Sequence, residues 1–373
     1  MSFCSYFDAH FCHSCGWIDY HYAEQLKLKS DQLDVLLNRY QPKVWLKPAT
    51  SPIKGFRNKA KMVATPTLEG VVLGLSEEVN LIECPLYDIS MQKVLHTTQE
   101  WLRKLGVKGY DVRLRKGELK YVLLTRSKSN NTMMIRFVLR SHGIIARLQN
   151  ALDDLLTRAP ELKVVTANIQ PVHMAILEGE EEIFFTEQRR LEERLNGIPL
   201  YIRPKSFFQT NPEVAEKLYH TASEWAGESK PKILWDLFCG VGGFALHCSV
   251  AECQIVGIEI EPEAIECARD SAALLEMSNI RFESLDTATF SATSGDKPDL
   301  IILNPPRRGL GEQICKWLMR IASERILYSS CNAMSLAKDL EALSSGYTIN
   351  RVQLFDMFPH TAHYEVLVEL VRE

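Results

Sequence analysis

Ile233-Leu-Trp-Asp236-Leu-Phe238-Cys239-Gly240-Val-Gly242-Gly243-Phe-Ala245 reads as a strand, a glycine turn and the start of a helix. The following strand, Ile255-Val-Gly-Ile-Glu259, ends in an acid nineteen residues after Gly240. Glycines let the backbone approach a ligand, and an acid at the end of the second strand suits ribose hydroxyls. Alone, this pair fits a nicotinamide dinucleotide fold as well as it fits a methyltransferase.

The elements downstream separate the two. A helix over 262–275 leads to a strand over 280–284 and to Asp286, a position suited to an adenine amino group. A strand over 299–303 runs into Asn304-Pro305-Pro306-Arg307-Arg308-Gly309, where two prolines make a rigid loop and leave the Asn304 amide and the arginines to reach a site. After a helix over 312–322, Arg325-Ile-Leu-Tyr-Ser-Ser-Cys331-Asn332 reads as a buried parallel strand that delivers one thiol to its carboxyl end. Ligands of open α/β sheets gather at that end. Alone, Cys331 is equally a small core residue. The tail pairs strands over 347–355 and 364–371, joined through Met357-Phe-Pro359-His360. Alternating β and α with a terminal hairpin is the layout of AdoMet-dependent methyltransferases.

Upstream, Asn211-Pro212 reads as an N-cap followed by proline at the first helical position, opening a helix to about residue 226. Phe207, Phe208 and Gln209 stand just before it, either docking as apolar surface or touching a ligand. Residues 101–150 carry twelve Lys/Arg against Asp111 and Glu118, so a chain of net charge −4 holds +10 in fifty residues. Such a run is either a solvated face or the footprint of a nucleic-acid partner. Strands expected over 111–115, 119–127, 132–139, 164–170 and 175–178, with helices over 91–105 and 144–158, make this middle part α+β. Lys116-Gly117-Glu118-Leu119-Lys120 reads as its hairpin turn.

In the first ninety residues Cys4, Cys12, Cys15 and Cys84 form a C-x7-C-x2-C set with a distant fourth member. Four thiolates can close a tetrahedral zinc site or hold a [4Fe–4S] cluster, and the Cys84-Pro85 step leans toward iron. An amphipathic helix over 23–40 sets Leu26, Leu33, Leu36 and Leu37 on one face and Lys27, Lys29 and Asp34 away from it. Arg57, Lys59 and Lys61 then alternate along a strand and share one face. The 373 residues, 46% hydrophobic and 24% charged, suit a globular protein of two or more domains. Ten cysteines without a secretory leader point to a reducing compartment, the cytoplasm. No apolar run reaches membrane-spanning length.

Together Asp236-Leu-Phe-Cys-Gly-Val-Gly-Gly, Leu303-Asn-Pro-Pro-Arg-Arg-Gly, Tyr328-Ser-Ser-Cys-Asn and His363-Tyr-Glu365-Val resemble the RNA uracil-C5 methyltransferase family, over essentially the whole chain. The cysteine set is similar to that family's [4Fe–4S] ligands. The resemblance implies AdoMet contacts from Gln209, Phe238, Glu259 and Asn304, a nucleophile at Cys331 and a general base at Glu365. It also implies 23S rRNA as partner, with a flipped or loop uridine, position 747, as target, and a monomeric enzyme. Three regions are expected: a cluster-binding segment over 1–90, a basic α+β RNA-binding domain over 91–205, and a Rossmann-like AdoMet methyltransferase domain over 206–373.

The chemistry explains these residue types. Uracil C5 is a weak carbon nucleophile until a thiolate adds to C6, after which C5 is enolate-like and attacks a methyl group. A base then removes the C5 proton and the thiol leaves. A free cysteine near pKa ~8.5 is mostly thiol at pH 7, so Arg307 and Arg308 are candidates to stabilise thiolate or charge developing on O4. Glu365, on a strand edge across from the Cys331 strand, takes the proton. Two other readings stand beside this one: methylation of an exocyclic amine through the Asn-Pro-Pro loop, and a non-catalytic, cluster-bearing RNA-binding protein.

Overall fold

The computed structural model describes residues 2–75, 79–173, 176–287, 289–290 and 297–373. These group into two units: the residues up to Cys15 together with Ile53–Glu193, and Gly16–Pro52 together with Arg194–Glu373. The three regions expected from sequence are thereby redrawn. Residues 1–90 form no unit of their own, because their amphipathic helix buries Leu33 and Leu37 in the same core as Trp235 and Tyr328.

In chain order the helices are α1 (Ser5–Asp8), α2 (Tyr22–Leu37), α3 (Ile89–Lys104), α4 (Ile145–Asn150), α5 (Leu152–Arg158), α6 (Pro212–Ser229), α7 (Gly243–His247), α8 (Pro262–Leu274), α9 (Glu312–Ile321) and α10 (Ala333–Leu343). The strands are β1 (Val44–Trp45), β2 (Lys59–Thr67), β3 (Gly70–Gly74), β4 (Leu119–Arg126), β5 (Met133–Leu139), β6 (Leu162–Ile169), β7 (Glu181–Phe184), β8 (Leu191–Leu195), β9 (Ile198–Ile202), β10 (Ile233–Leu237), β11 (Gln254–Glu259), β12 (Ile280–Ser284), β13 (Leu300–Leu303), β14 (Arg325–Ser330), β15 (Tyr347–Phe355) and β16 (Glu365–Arg372).

The first unit is α+β, as expected. Its sheet runs β3-β2-β4-β5-β6-β7, antiparallel except for β5 with β6. Ala60, Met62 and Ala64 point into a core shared with Trp101, Leu102 and Leu148, so Lys59 and Lys61 fall on the other face as their alternation requires. Four local expectations fail. Residues 111–115 are a turn closed by an Asp111–Lys116 bridge, since Asp111 Oδ1 accepts from the backbone N–H of Arg113 and of Leu114, both at 2.8 Å. The hairpin turn thus ends before Leu119, which already opens β4. The single helix over 144–158 breaks at Ala151 into α4 and α5. Of the strand over 175–178, Ala175 lies outside the described residues, 176–178 is irregular, and the strand in this region is β7.

The second unit is a Rossmann-like α/β sheet ordered β1-β15-β16-β14-β13-β10-β11-β12. Strands β14, β13, β10, β11 and β12 run parallel, and β16 inserts antiparallel between β14 and β15. Glu365 therefore opens an interior strand rather than standing on an edge. Helix α6 starts as read, with Asn211 Oδ1 accepting from Val214 N–H and Pro212 in the first turn. Lys29 corrects the helical-wheel reading of α2: its side chain is fully buried, paired with Asp356 at 2.6 Å and donating to the Phe358 carbonyl at 3.0 Å.

Candidate active site

The glycine turn after β10 builds the floor of the site. Asp236 is wholly buried, and its Oδ2 accepts from the Ala245 N–H at 2.9 Å, pinning the strand to the first turn of α7. Burial pushes that carboxyl up to about 8. Gly243 must lack a side chain, because a Cβ there would lie 2.5 Å from the hydroxyl of buried Tyr219. At the end of β11, Glu259 is tied down by backbone donors: Oε2 accepts from Gly240 N–H at 3.2 Å, and Oε1 from Ile260 N–H at 2.8 Å and Glu261 N–H at 3.1 Å. The glycine turn and the acid are thus one cradle.

Above this floor is a cavity of about 540 Å³. Gln209, Phe238, Glu259 and Asn304 line it, and so do Cys331 and Glu365. Every catalytic or cofactor residue expected from the sequence therefore reaches one space. Asp286, Phe207, Phe208, Arg307 and Arg308 line it too.

Cys331 follows β14 directly and is half-buried. Burial first, then the nearby Glu365 carboxylate, raises its thiol above the ordinary value, and the Arg307 guanidinium only partly offsets this. Glu365 is only 2% exposed. Burial raises its carboxyl to about 7, opposed by the Ser329 hydroxyl, which donates to Oε1 at 2.6 Å. A carboxyl poised there can take a proton near neutrality, where an ordinary glutamate is too weak a base.

Three groups in this arrangement escape sequence reasoning. Ser329 precedes Cys331 by two residues and so lies on the same side of β14, where it meets Glu365 across the β14–β16 pair. Asn332 caps α10 by accepting from Met334 N–H at 3.1 Å, and its Nδ2 donates to the Arg307 carbonyl at 2.9 Å, joining the thiol-bearing loop to the arginine loop. Asp339 on α10 accepts from Leu310 N–H and from the Tyr328 hydroxyl, at 2.8 and 2.7 Å, and anchors the far end of the arginine loop. An N-cap signal at Asn332 was readable; the long-range partners were not.

In the first unit, Cys4, Cys12, Cys15 and Cys84 are free thiols, and the neighbouring cysteines help push the Cys15 and Cys84 thiols up. Burial first, then the three neighbouring cysteines, pushes the Cys15 thiol up to about 12, against Arg57. Among the described residues no group of three or more His, Cys, Asp or Glu is arranged to hold a metal ion. None of the described helices is long and apolar enough to cross a membrane.

The sequence family described as tRNA (Uracil-5-)-methyltransferase matches residues 180–373, more than half of the chain. The chain belongs to this family. Among its relatives is the 23S rRNA (uracil(747)-C(5))-methyltransferase RlmC of Shewanella loihica, 52% identical, with 99% of each chain covered. The protein of the same description from Escherichia coli O127:H6 is 50% identical, over 99% of this chain and 100% of the relative. Among solved structures, the Pyrococcus abyssi tRNA (uracil-54, C5)-methyltransferase in complex with S-adenosyl-L-homocysteine superposes with a TM-score of 0.78 at 25% identity, covering 96% of this chain and 85% of that one. In this chain a thiol, Cys331, and a carboxyl, Glu365, line one cavity at the carboxyl ends of the parallel strands.

Proposed function

We propose that this chain methylates carbon 5 of a uridine in 23S rRNA with AdoMet as donor, uridine 747 being the target named in its relatives. The observation that carries the reading is that Cys331 and Glu365 line one cavity, the first beside a guanidinium and the second near its proton-accepting range. Cys331 adds as thiolate to C6 of the ring, and Arg307 offsets negative charge on the sulfur beforehand. The electron pair displaced to C5 forms the new carbon–methyl bond as the donor's methyl–sulfur bond breaks, its pair staying on the sulfur that leaves. Glu365 then takes the C5 proton, the C5–H electrons restore the C5–C6 double bond, and the Cys331 sulfur leaves.

AdoMet, when bound, supplies the electrophilic methyl group. Gln209, Phe238, Glu259 and Asn304 would hold it against the glycine cradle, with Glu259 facing the ribose hydroxyls. The cavity volume suits a ligand of that size, within the few-hundred to ~1,000 Å³ typical of small-molecule sites. Since a uridine C6 stacked in a helix is out of reach, the substrate base enters flipped or from a loop.

We assign Cys4, Cys12, Cys15 and Cys84 as ligands of a [4Fe–4S] cluster. The donor set fits: four free thiols in one electrostatic neighbourhood, none in a disulfide. The cluster's role is to fasten residues 4–15 to residue 84. The enzyme works as a monomer in the cytoplasm, with the basic first unit as its RNA-binding part.

The test is covalent trapping. An rRNA fragment carrying 5-fluorouridine lacks the proton that Glu365 must remove, so it stays bonded to Cys331 and migrates with the protein on a denaturing gel. Cys331→Ala gives no adduct and no product. Methyl transfer by the alanine variant, or a methyl group on an exocyclic amine in the digested RNA, refutes the reading. Iron content and visible absorption after anaerobic purification test the cluster.

A further inference from the structure

The +10 charge of residues 101–150 is not spread over the surface of the first unit. Much of it is answered internally: Arg136 pairs with Glu178 and Glu182, Arg140 with Glu118, Lys104 with Asp154, and Arg126 with Asp88. Lys108, Arg113, Arg115 and Lys116 are different. All four are exposed, and none has a carboxylate partner among the described residues. They surround one turn, which also exposes Val112 and Leu114 at 65% and 67%.

This turn is built rather than loose. Gly109 packs so closely that a Cβ would lie 2.3 Å from the Ala64 carbonyl oxygen of β2. Gly117, at φ +96°, leaves no room against the Gly109 carbonyl, at 2.0 Å. Asp111 is spent on the backbone N–H groups of Arg113 and Leu114, so the one acid in the turn holds its shape instead of neutralising its cations. Tyr110 braces the base, hydrogen-bonded to His173 at 2.7 Å. Two aliphatic side chains kept in water on a shaped, uncompensated basic turn need a partner that is polyanionic and has apolar faces. Stacked or splayed bases on a phosphate backbone meet both conditions.

We propose that the 108–117 turn is an RNA-contacting element, in which Lys108, Arg113, Arg115 and Lys116 engage phosphates while Val112 and Leu114 lie against an unstacked base. It rests on the reading of the enzyme as an RNA methyltransferase and adds where the RNA is gripped. Cations on a nucleic-acid backbone release counterions, and apolar side chains wedge against bases without doing so. The two parts of the turn therefore have separable signatures.

The experiment uses the full-length protein and a 23S rRNA fragment that it methylates, with binding measured across a salt series. Replacing the four cations (K108Q, R113Q, R115Q, K116Q) should flatten the slope of log K against log [salt] by roughly 3, at roughly 0.7 for each phosphate no longer neutralised. V112S with L114S should leave the slope unchanged and weaken binding roughly 10-fold, as the apolar contact of two aliphatic side chains with a base is lost. Both variants should retain AdoMet binding and wild-type thermal unfolding, because the altered side chains are exposed. Wild-type affinity and slope in both variants overturn the proposal, and so does an equal salt-independent loss in both. An RNA held through the turn but never methylated at C5 instead counts against the catalytic reading and leaves this one standing.

Discussion

At Glu365, the shift that would suit the proposed general base also costs stability. The folded carboxyl titrates near 7, against an ordinary 4.5. Between those values the folded protein holds a proton that the unfolded chain releases, so this group's contribution falls as pH rises through the window and stays lost above it. Glu365→Gln should therefore be more stable than the parent at pH 8, by on the order of 2 kcal/mol, and no more stable at pH 4. Thermal unfolding at the two pH values checks this. The same titration predicts that log kcat/KM climbs more steeply, by one unit of slope, below about 7 than above it, where ionisation of the Cys331 thiol alone still carries the rise. A profile that is flat from 5 to 8 removes Glu365 from the role of base. The Gln variant should also accumulate methylated RNA still bonded to Cys331, since the last proton stays in place.

Among elements, the arginine loop and the start of α10 act as one piece through Asn332. Asn332→Ser keeps the helix cap but loses the donor to the Arg307 carbonyl. We expect stability to change by under ~1 kcal/mol, iodoacetamide alkylation of Cys331 to slow, and its pH profile to move upward as the guanidinium loosens. Equal alkylation profiles in both proteins refute that link. In the floor of the site, Gly243→Ala drives a methyl group into Tyr219, whose ring is buried and cannot swing clear. A loss of about 1–3 kcal/mol in stability, with weaker AdoMet binding by calorimetry, is expected. The alternation of strand and helix through 233–343 was legible because parallel strands buried on both faces read as short apolar runs with punctuated ends. The 111–115 stretch misled for the opposite reason. Asp-Val-Arg-Leu-Arg alternates like a strand, yet Asp111 turns the backbone back on itself. The motifs placed Cys331 and Glu365, but Ser329, Asn332 and Asp339 act through partners that local pattern does not name.

For the molecule as a whole, the second unit is discontinuous in sequence, and the Lys29–Asp356 pair joins its two pieces. A charge sign on a helical wheel assigned Lys29 to water, because its counter-ion lies 327 residues away. Both side chains have no exposure, so removing one strands the other. Lys29→Met should cost about 3–5 kcal/mol by urea unfolding, and the addition of Asp356→Leu should recover much of it. A loss under ~1 kcal/mol in the single variant would mean that the pair is solvated.

During synthesis this pairing sets a delay. At ~5–20 residues per second, the ribosome completes Asp356 about 16–65 s after Lys29, longer than most domains take to fold. For most of that interval the α2 segment is outside the exit tunnel with its ammonium group waiting for a counter-ion that does not yet exist. Chains arrested before codon 356 should therefore be more protease-sensitive in α2 than the full-length protein.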